Sequence, residues 1–305
     1  MFENKRPGMG WLREYPDFRD YTVNHDEIAP RLKALGQTLS VRGMLTKVGV
    51  AEATKVALAG SVDLRKWCPK IEDQLNLGSC TANAVVGVVE YFQNRASGRY
   101  TDASRLFLYK VTRTLMHLTG DTGAYLRTTM GALVLFGVPP EEYWEYDVSN
   151  FDVEPSAFCY AYAQSYQAIS YYRLDPPGTS PNALLQQIKV GLAGGLPAVF
   201  GFTVYNSYQQ GATGGKIPYP APNDYVVGGH AVVAVGYDDA LKIKNTSPGG
   251  KETKGAFLIR NSWGEDWGDK GYGWLPYEYA LKGMAVDWWS LMKNEWVDTG
   301  QFGLG

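Results

Sequence analysis

The spacing of apolar residues changes near residue 195, and this change constrains the fold more than any other feature of the sequence. Upstream, apolar residues recur at steps of three and four, as Val85, Val89 and Phe92 do after Cys80, which predicts amphipathic helices. Downstream, the period approaches two and β-branched and aromatic residues become frequent, which predicts strands. Helices followed by strands favour an α+β protein with two unlike halves.

The same patterns give approximate bounds for the individual elements. We expect one helix from Cys80 to its stop signal at Gly98 and further helices at Ser104–Met116, Tyr125–Phe136 and Asn182–Leu192. We expect strands at Ala198–Tyr205, Ala231–Tyr237, Ala256–Arg260, Tyr272–Leu275 and Ala285–Leu291. Asp26–Leu58 is helix-like with mixed spacings, and Asp238–Lys254 is interpreted as a solvent-exposed hairpin insertion.

Composition excludes several classes of protein. The chain has 305 residues, a hydrophobic content of 45% and a formal charge of −2, so it can bury a core and lacks the basic surface of a nucleic-acid-binding protein. No apolar run approaches the roughly 18–20 residues that span a bilayer. Met1–Gly8 lacks the apolar region of a secretory signal, which leaves a cytoplasmic location and export with a removed signal both open.

One of the few cysteines stands where a thiolate is favoured. The chain contains Cys68, Cys80 and Cys159, so at least one thiol is left unpaired. Cys80 follows Gly78 and Ser79 at the start of a predicted helix, where the helix dipole and free N–H groups stabilise an anion. Gln74, six residues earlier, offers an amide donor. A buried, inert thiol is the alternative interpretation of Cys80.

Two further fragments add a base and a group that orients it. His230 follows two glycines at the head of an apolar strand, a position from which an imidazole can approach a thiol. Asn261 ends another apolar strand, with Trp263 two residues later. An amide oxygen can accept the imidazole N–H and fix the ring, while an indole shields that bond from water. The alternative is a turn asparagine beside core tryptophans.

Together, the three fragments resemble the papain-like cysteine peptidases, in which Gln, Cys, His and Asn occur in this order. The resemblance covers about residues 61–292, and Asn261-Ser-Trp-Gly is its most specific motif. Asn261 lies 181 residues beyond Cys80, and the insertion at 238–254 accounts for much of the excess over the usual spacing of about 130–150 residues. The resemblance implies a two-lobed fold, with a helical lobe, an antiparallel β-barrel-like lobe and the active site in the cleft between them.

The resemblance also implies roles for individual residues. Cys80 is the expected nucleophile, His230 the general base and Asn261 the residue that orients it, while Gln74 and the Cys80 N–H hold the oxyanion. The residues expected to bind substrate are Gly78, Ser79, Gly123, Gly229 and Trp263.

Several positions depart from the usual family pattern. Leu77 and Thr81 replace the outer residues of Cys-Gly-Ser-Cys-Trp, so the disulfide of that first cysteine is absent. Gly229 replaces the Asn or Asp common before the histidine, and Thr122 replaces one glycine of a pair. These departures indicate a divergent, bacterial-type member, and they leave its subsite preference open.

The expected activity is hydrolysis of peptide bonds in peptides or proteins through a thioester acyl-enzyme, with no metal or cofactor. Two alternatives remain open from the sequence. An amidase or acyl-transfer enzyme uses the same nucleophile with another acceptor, although Asn261 argues against a transglutaminase. A non-catalytic, peptide-binding relative of the fold is the second alternative, although such proteins typically lose the cysteine or histidine.

The first sixty residues lie ahead of the family resemblance, which begins near Ser61. We expect residues 1–60 to be a propeptide-like inhibitory segment or a permanent structural arm, followed by a peptidase domain at 61–305, with its helical lobe at about 61–165 and its β lobe at about 166–305. In the aromatic-rich part of the segment, we expect four side chains to be buried against the enzyme: Trp11, Tyr15, Phe18 and Tyr21.

Overall fold

The computed structural model describes residues 7–52, 57–164 and 169–304, and its helices are concentrated in the first half of the chain. The α-helices are α1 (Pro30–Ala34), α2 (Val41–Lys47), α3 (Cys80–Ser97), α4 (Arg105–Leu115), α5 (Leu126–Phe136), α6 (Ala157–Ala163), α7 (Pro181–Ala193), α8 (Tyr277–Leu281) and α9 (Asn294–Val297). The helical lobe is formed chiefly by α3, α4 and α5, which pack on one another.

The strands of the second half form an antiparallel sheet. The strands are β1 (Trp11–Leu12), β2 (Ser61–Asp63), β3 (Ala124–Tyr125), β4 (Ser170–Arg173), β5 (Ala198–Tyr205), β6 (Val226–Lys244), β7 (Glu252–Arg260), β8 (Tyr272–Pro276) and β9 (Ala285–Met292). Within the described residues, seven of them make one sheet in the order β4-β9-β5-β6-β7-β8, with β2 added along β6. The predicted α+β class is therefore confirmed.

Helix α3 joins the two lobes and begins at the predicted cysteine. It ends at Gly98, whose φ of 73° is the left-handed conformation that glycine adopts most readily. Its apolar side chains, among them Val85 and Val89, are almost fully buried against the sheet and the other helices. Burial on nearly all sides fixes the direction of the helix, and so fixes where its first residue lies.

Two sequence-based predictions of element bounds were wrong. The helix-like stretch Asp26–Leu58 contains only the short helices α1 and α2 in its described part, because Gly36 and Gly49 adopt left-handed backbone that ends each of them; residues 53–56 lie outside the described residues. The segment 238–254 is a hairpin, as predicted, but the strands on either side of it were predicted too short, because its arms continue β6 and β7. Ile243 pairs with Thr253 in these arms, and both are buried.

We call residues 8–23 the arm. Its strand β1 lies between the lobes and pairs in parallel with β3, Trp11 opposite Ala124. Trp11 is buried as predicted, whereas Tyr15 and Phe18 are 76% and 94% exposed, contrary to the prediction. Each of these two rings instead lies beside an arginine of the arm itself.

Helix α2, which follows the arm, contributes residues to the core. In α2, Val41, Met44 and Leu45 are buried, and Ser40 caps the helix by accepting the N–H of Gly43. The domain boundary near residue 60 stays a prediction, and residues 1–6 of the predicted extension lie outside the described residues. Within the residues that the structure describes, no helix is both long and apolar enough to cross a membrane.

Candidate active site

Cys80 lies at the N-terminus of α3, at the junction of the two lobes, and is fully buried. Its Sγ accepts a hydrogen bond of 3.4 Å from the backbone N–H of Ala231, the residue that follows His230 on β6. Burial raises the pKa of the Cys80 thiol to about 11, although this N–H and the first amides of α3 act in the opposite direction. In the covered site the thiol is therefore neutral.

His230 is held by the asparagine that the sequence singled out. Its Nε2 lies 2.7 Å from Oδ1 of Asn261, which follows the end of β7. Trp263 stacks on the imidazole, with ring centroids 4.4 Å apart and planes 23° from parallel. The other ring nitrogen, Nδ1, is buried and has no hydrogen-bond partner in the described part of the chain. Burial lowers the pKa of His230 to about 4, so the imidazole is neutral as well.

Gln74 is buried beside the same segment. Its Nε2 donates to the carbonyl oxygens of Leu77 (2.8 Å) and Gly8 (3.0 Å), and its Oε1 accepts the hydroxyl of Ser262 at 2.6 Å. The Gln74 N–H also donates to the Ser262 carbonyl. The residue next to Asn261 thus fixes the side-chain amide of Gln74.

The glycines expected to bind substrate line the cleft and contact the arm. A Cβ atom at Gly123, whose φ is +73°, would lie 2.2 Å from the Gly10 carbonyl oxygen. A Cβ atom at Gly229 would lie 2.6 Å from the carbonyl oxygen of Trp11, and Gly78 lies against Gly10. These positions admit a peptide backbone only because they carry no side chain.

Two of the predicted binding residues, Ser79 and Trp263, have side chains that contact other residues of the site. The Ser79 hydroxyl is buried and lies 2.5 Å from the hydroxyl of Tyr146, so it faces the helical lobe and not the arm. Trp263 covers His230, as described above. The Ser79 side chain is therefore turned away from the cleft, while the Ser79 backbone and Trp263 stay candidates for binding substrate.

Sequence reasoning missed two residues that shape the cleft. Asp121 accepts the Gly78 N–H at 2.9 Å and the Tyr109 hydroxyl at 2.6 Å, and so positions the loop before Cys80. Its place in Gly120-Asp-Thr-Gly123 was visible, but its partner was not. Ser262 was noted as part of the Asn-Ser-Trp-Gly motif, but its hydrogen bonds to Gln74 were not predicted.

The arm contacts Gln74, the glycines of the cleft and β3. The Gly8 carbonyl occupies the Gln74 amide, and Gly10 lies against Gly78, two residues before Cys80. The Gly10 carbonyl accepts the N–H of Ala124 at 2.7 Å. A peptide backbone, contributed by the chain itself, therefore lies along the cleft from Gln74 to β3.

The three cysteines are all unpaired, and the part of the chain that the structure describes has no evident metal site. Cys68 and Cys159 lie apart from one another as free thiols, and burial raises the pKa of Cys68 to about 11. Across the described ranges, no three His, Cys, Asp or Glu side chains group as metal ligands.

Comparison with known sequences identifies related proteins over most of the chain. The model of a family described as papain family cysteine protease matches residues 58–296. An uncharacterized peptidase C1-like protein of Acanthamoeba polyphaga mimivirus is 31% identical over 290 residues, which are 93% of this chain and 86% of that protein. Cysteine proteinase 2 of Entamoeba histolytica is 26% identical over 232 residues, which are 74% of this chain and 66% of that protein.

Solved structures show the same fold. Xylellain, a cysteine protease from Xylella fastidiosa, superposes with a TM-score of 0.70 at 31% identity and covers 96% of this chain and 98% of its own. Procathepsin L 3 of the Tenebrio molitor larval midgut has a TM-score of 0.57 at 20% identity over 78% and 71% of the two chains, a likeness of fold alone. The predicted two-lobed fold is confirmed. The xylellain match also includes most of the residues that precede position 58.

Proposed function

Because the chain belongs to the papain family of cysteine proteases, as a divergent member that hydrolyses peptide bonds, we propose that its catalytic residues are Cys80, His230, Asn261 and Gln74. One observation carries the proposal. The 2.7 Å contact between Nε2 of His230 and Oδ1 of Asn261 leaves Nδ1 as the unpaired nitrogen of the ring. The residue after His230 contacts the Cys80 sulfur, so base and nucleophile are neighbours.

The chemistry follows from these contacts. His230 Nδ1 takes the proton of Cys80, and the thiolate attacks the peptide carbonyl carbon. The oxygen that becomes negative is stabilised by a Gln74 N–H and by the free N–H groups at the start of α3. The C–N bond then breaks, and the leaving amine takes the proton from the imidazolium. Water, deprotonated by His230, hydrolyses the thioester and restores the thiol.

Asn261 keeps the correct nitrogen available. Because Nε2 donates to its amide oxygen, the neutral ring carries its proton there and Nδ1 is the free acceptor. The Trp263 indole lies over the ring and excludes water from this hydrogen bond. Ser262, whose N–H donates to the same oxygen at 2.8 Å, fixes the amide orientation.

Inhibition by the arm is part of the proposal. The Gly8 carbonyl occupies the Gln74 amide, and Gly10 and Trp11 lie against the glycines of the cleft, which supports an inhibitory strand that fills the place of a substrate. Covering the site also removes it from water, and burial favours the neutral thiol and the neutral imidazole over the reactive ion pair. Departure of the arm exposes both groups, lowers the thiol pKa and raises that of the imidazole.

The test uses the full-length chain and its Trp11→Ala variant, which loosens the arm. Cys80→Ala or His230→Ala, placed in the Trp11→Ala chain, should abolish hydrolysis of a mixed peptide library, because nucleophile and base act as a unit. Cys159→Ala removes another buried thiol and is the matched control. An epoxide-type thiol-protease inhibitor should label Cys80 alone, as mass mapping will show. Hydrolysis that survives Cys80→Ala contradicts the proposal.

A further inference from the structure

The indole of Trp11 fills a pocket on the sheet whose floor is made of glycine. A Cβ atom at Gly201 on β5 would lie 1.9 Å from Cε2 of Trp11, and one at Gly229 on β6 would lie 2.9 Å from Cε3. The ring therefore rests on two neighbouring strands that carry no side chain beneath it. Glycine inside an apolar strand often marks such a close approach.

A buried acid lies beside the two glycines that form the floor of this pocket. Asp287, on β9, is fully buried, and its Oδ2 accepts the Trp11 Nε1–H at 3.1 Å. Its Oδ1 accepts the Trp289 Nε1–H at 2.7 Å and lies 3.2 Å from Nη1 of Arg173. One carboxylate oxygen is thus saturated by the protein, and the other is turned toward the occupant of the pocket.

We propose that this pocket binds a side chain of the substrate and that Asp287 makes it select tryptophan, an aromatic ring that carries an N–H donor. The proposal rests on the proposed function, since it assigns substrate preference to the same cleft. Trp11 then occupies the pocket in the resting chain as a substrate side chain does during turnover. Its neighbour Gly10 lies against Gly78, two residues before Cys80, so the pocket lies beside the nucleophile along a bound strand.

Flatness and depth select the ring. With Gly201 and Gly229 as floor, a planar side chain makes contact over its whole face, whereas a branched aliphatic chain leaves space unfilled. Phenylalanine fits the floor but leaves Oδ2 of Asp287 desolvated without a donor. An unpaired buried carboxylate oxygen is costly, so this loss should be large.

The charges around Asp287 argue against a cationic side chain. Arg173 contacts Asp287 and also Asp175, whose Oδ1 lies 2.8 Å from its Nε. Arg127 pairs with Glu14 and Asp20 of the arm. When the arm leaves, its acidic residues leave with it. The charges that remain are those of Arg127, Arg173, Asp175 and Asp287, which balance. A substrate guanidinium would be desolvated beside Arg173, whereas the neutral indole N–H satisfies Oδ2 without added charge.

The first test measures the hydrogen bond in the full-length chain, without turnover. The rate at which iodoacetamide alkylates Cys80, mapped by mass spectrometry, reports opening of the arm. Trp11→Phe should raise this rate about tenfold, the scale of a hydrogen bond to a charged acceptor. In an Asp287→Asn background, the same change should alter the rate less than about twofold, because the Asn oxygen faces Trp289 and Arg173 and its NH₂ faces the pocket.

Controls for this cycle lie in the same segments. Asp287 has a φ of +62°, which Asn tolerates, so Asp287→Asn keeps the backbone. Phe18→Leu, in the exposed part of the arm, should leave alkylation unchanged. If Trp11→Phe has no effect in the native background, or an equal effect in both, Asp287 does not select the indole and the proposal fails.

The second test measures preference directly. The full-length Trp11→Ala chain is given acetylated peptide amides of Gly and Ala in which each position in turn carries Trp, Phe, Leu or Arg, and kcat/KM is determined. At one position, Trp should exceed each of the others about tenfold, and Asp287→Asn should remove its advantage over Phe. Equal rates for Trp and Phe, or a preference for Arg, overturn the proposal. If the chain cleaves no peptide, the proposed function is contradicted. The alkylation rates of the Trp11→Phe and Asp287→Asn variants still show whether Asp287 recognises the indole N–H.

Discussion

The short segment that begins at Asn261 connects three of the four proposed catalytic side chains, those of Asn261, His230 and Gln74. Asn261 holds His230 through its side chain, and Ser262 holds Gln74 through both its hydroxyl and its backbone carbonyl. The orienting residue and the oxyanion donor are therefore built on adjacent positions. A displacement of this segment would disturb the base and the oxyanion site together.

Gln74 should stabilise the transition state without activating the thiol. In the Trp11→Ala chain, Gln74→Ala is expected to lower kcat by about 100-fold, the scale for losing one oxyanion donor, while Cys80 is alkylated at a near-normal rate. Steady-state kinetics and timed iodoacetamide labelling measure the two effects. Gln209→Ala, at an exposed glutamine, is the control. Loss of alkylation in Gln74→Ala would show that the division of roles is wrong.

The catalytic residues were easier to predict from the sequence than the residues that position them. Cys80 was expected at a helix start and His230 on a strand, because glycines and hydrophobic period mark those positions locally. The roles of Asp121 and Ser262 depend on which loops meet in three dimensions, and no local pattern reports that. Gly201 and Asp287 carried a signal that was not used, since a glycine and an acid interrupt strands that are otherwise apolar.

At the scale of elements, α3 carries an ionisable group in its interior as well as Cys80 at its start. Glu90 is 2% exposed, and its Oε1 accepts the Ala103 N–H at 2.9 Å. Burial raises the pKa of Glu90 from 4.5 to about 8, despite the opposing influence of that N–H and of Arg260. The carboxyl is therefore neutral in the folded chain at a pH where it is ionised in the unfolded chain.

The sign of the resulting pH dependence is fixed by this shift. Because the folded-state pKa is the higher one, the contribution of Glu90 to stability is fully present below about pH 4.5 and is lost as the pH rises to about 8. Glu90→Gln keeps an acceptor for Ala103 and cannot ionise. It should increase the free energy of unfolding at pH 8 on the order of 2 kcal/mol and have little effect at pH 4.

Urea unfolding of native and variant chains at both pH values measures this difference. Glu142→Gln, at an exposed position after α5, is the matched control and should change neither value. A Glu90→Gln chain that is less stable than the native chain at pH 8 would mean that the ionised carboxylate is bound favourably in the fold.

The extents of elements were predicted well where the sequence contains a stop signal. Gly98 and Gly194 end α3 and α7 near the expected positions, and β5 has the expected bounds. The hairpin of β6 and β7 was cut short in the prediction, since Lys- and Gly-rich composition suggested a loop. Cross-strand pairing, as between Lys242 and Lys254, maintains the strands there despite weak local preference.

For the whole molecule, the sequence left open whether the first sixty residues inhibit the enzyme or complete its core, and the structure divides the segment. The arm lies in the cleft and is attached by ion pairs, with Arg127 binding both Glu14 and Asp20. Residues 37–50 pack into the core, where the Gln37 amide donates to the Ser170 hydroxyl at 2.7 Å. Composition does not distinguish the two parts, because both mix apolar and charged residues.

This division predicts that two truncations behave differently. A chain beginning at Asn24 loses the arm but keeps α1 and α2, so it should fold and should exceed the full-length chain in turnover at matched active-site titre. A chain beginning at Ser61 also loses Val41, Met44 and Leu45, which are buried, and each such side chain contributes about 1.5–3 kcal/mol.

Removing residues 24–60 also removes the entropy cost of ordering them, which offsets part of this loss. The Ser61 chain should still have a Tm about 10 °C or more below that of the Asn24 chain. Thermal unfolding followed by circular dichroism, with burst titration of Cys80, compares them. Adding a synthetic peptide of residues 8–23 should suppress turnover of the Asn24 chain, because it restores the contacts of Gly8, Gly10 and Trp11. A Ser61 chain as stable as the full-length protein would mean that residues 24–60 are dispensable for the fold, and equal turnover of the full-length and Asn24 chains would mean that the arm does not inhibit.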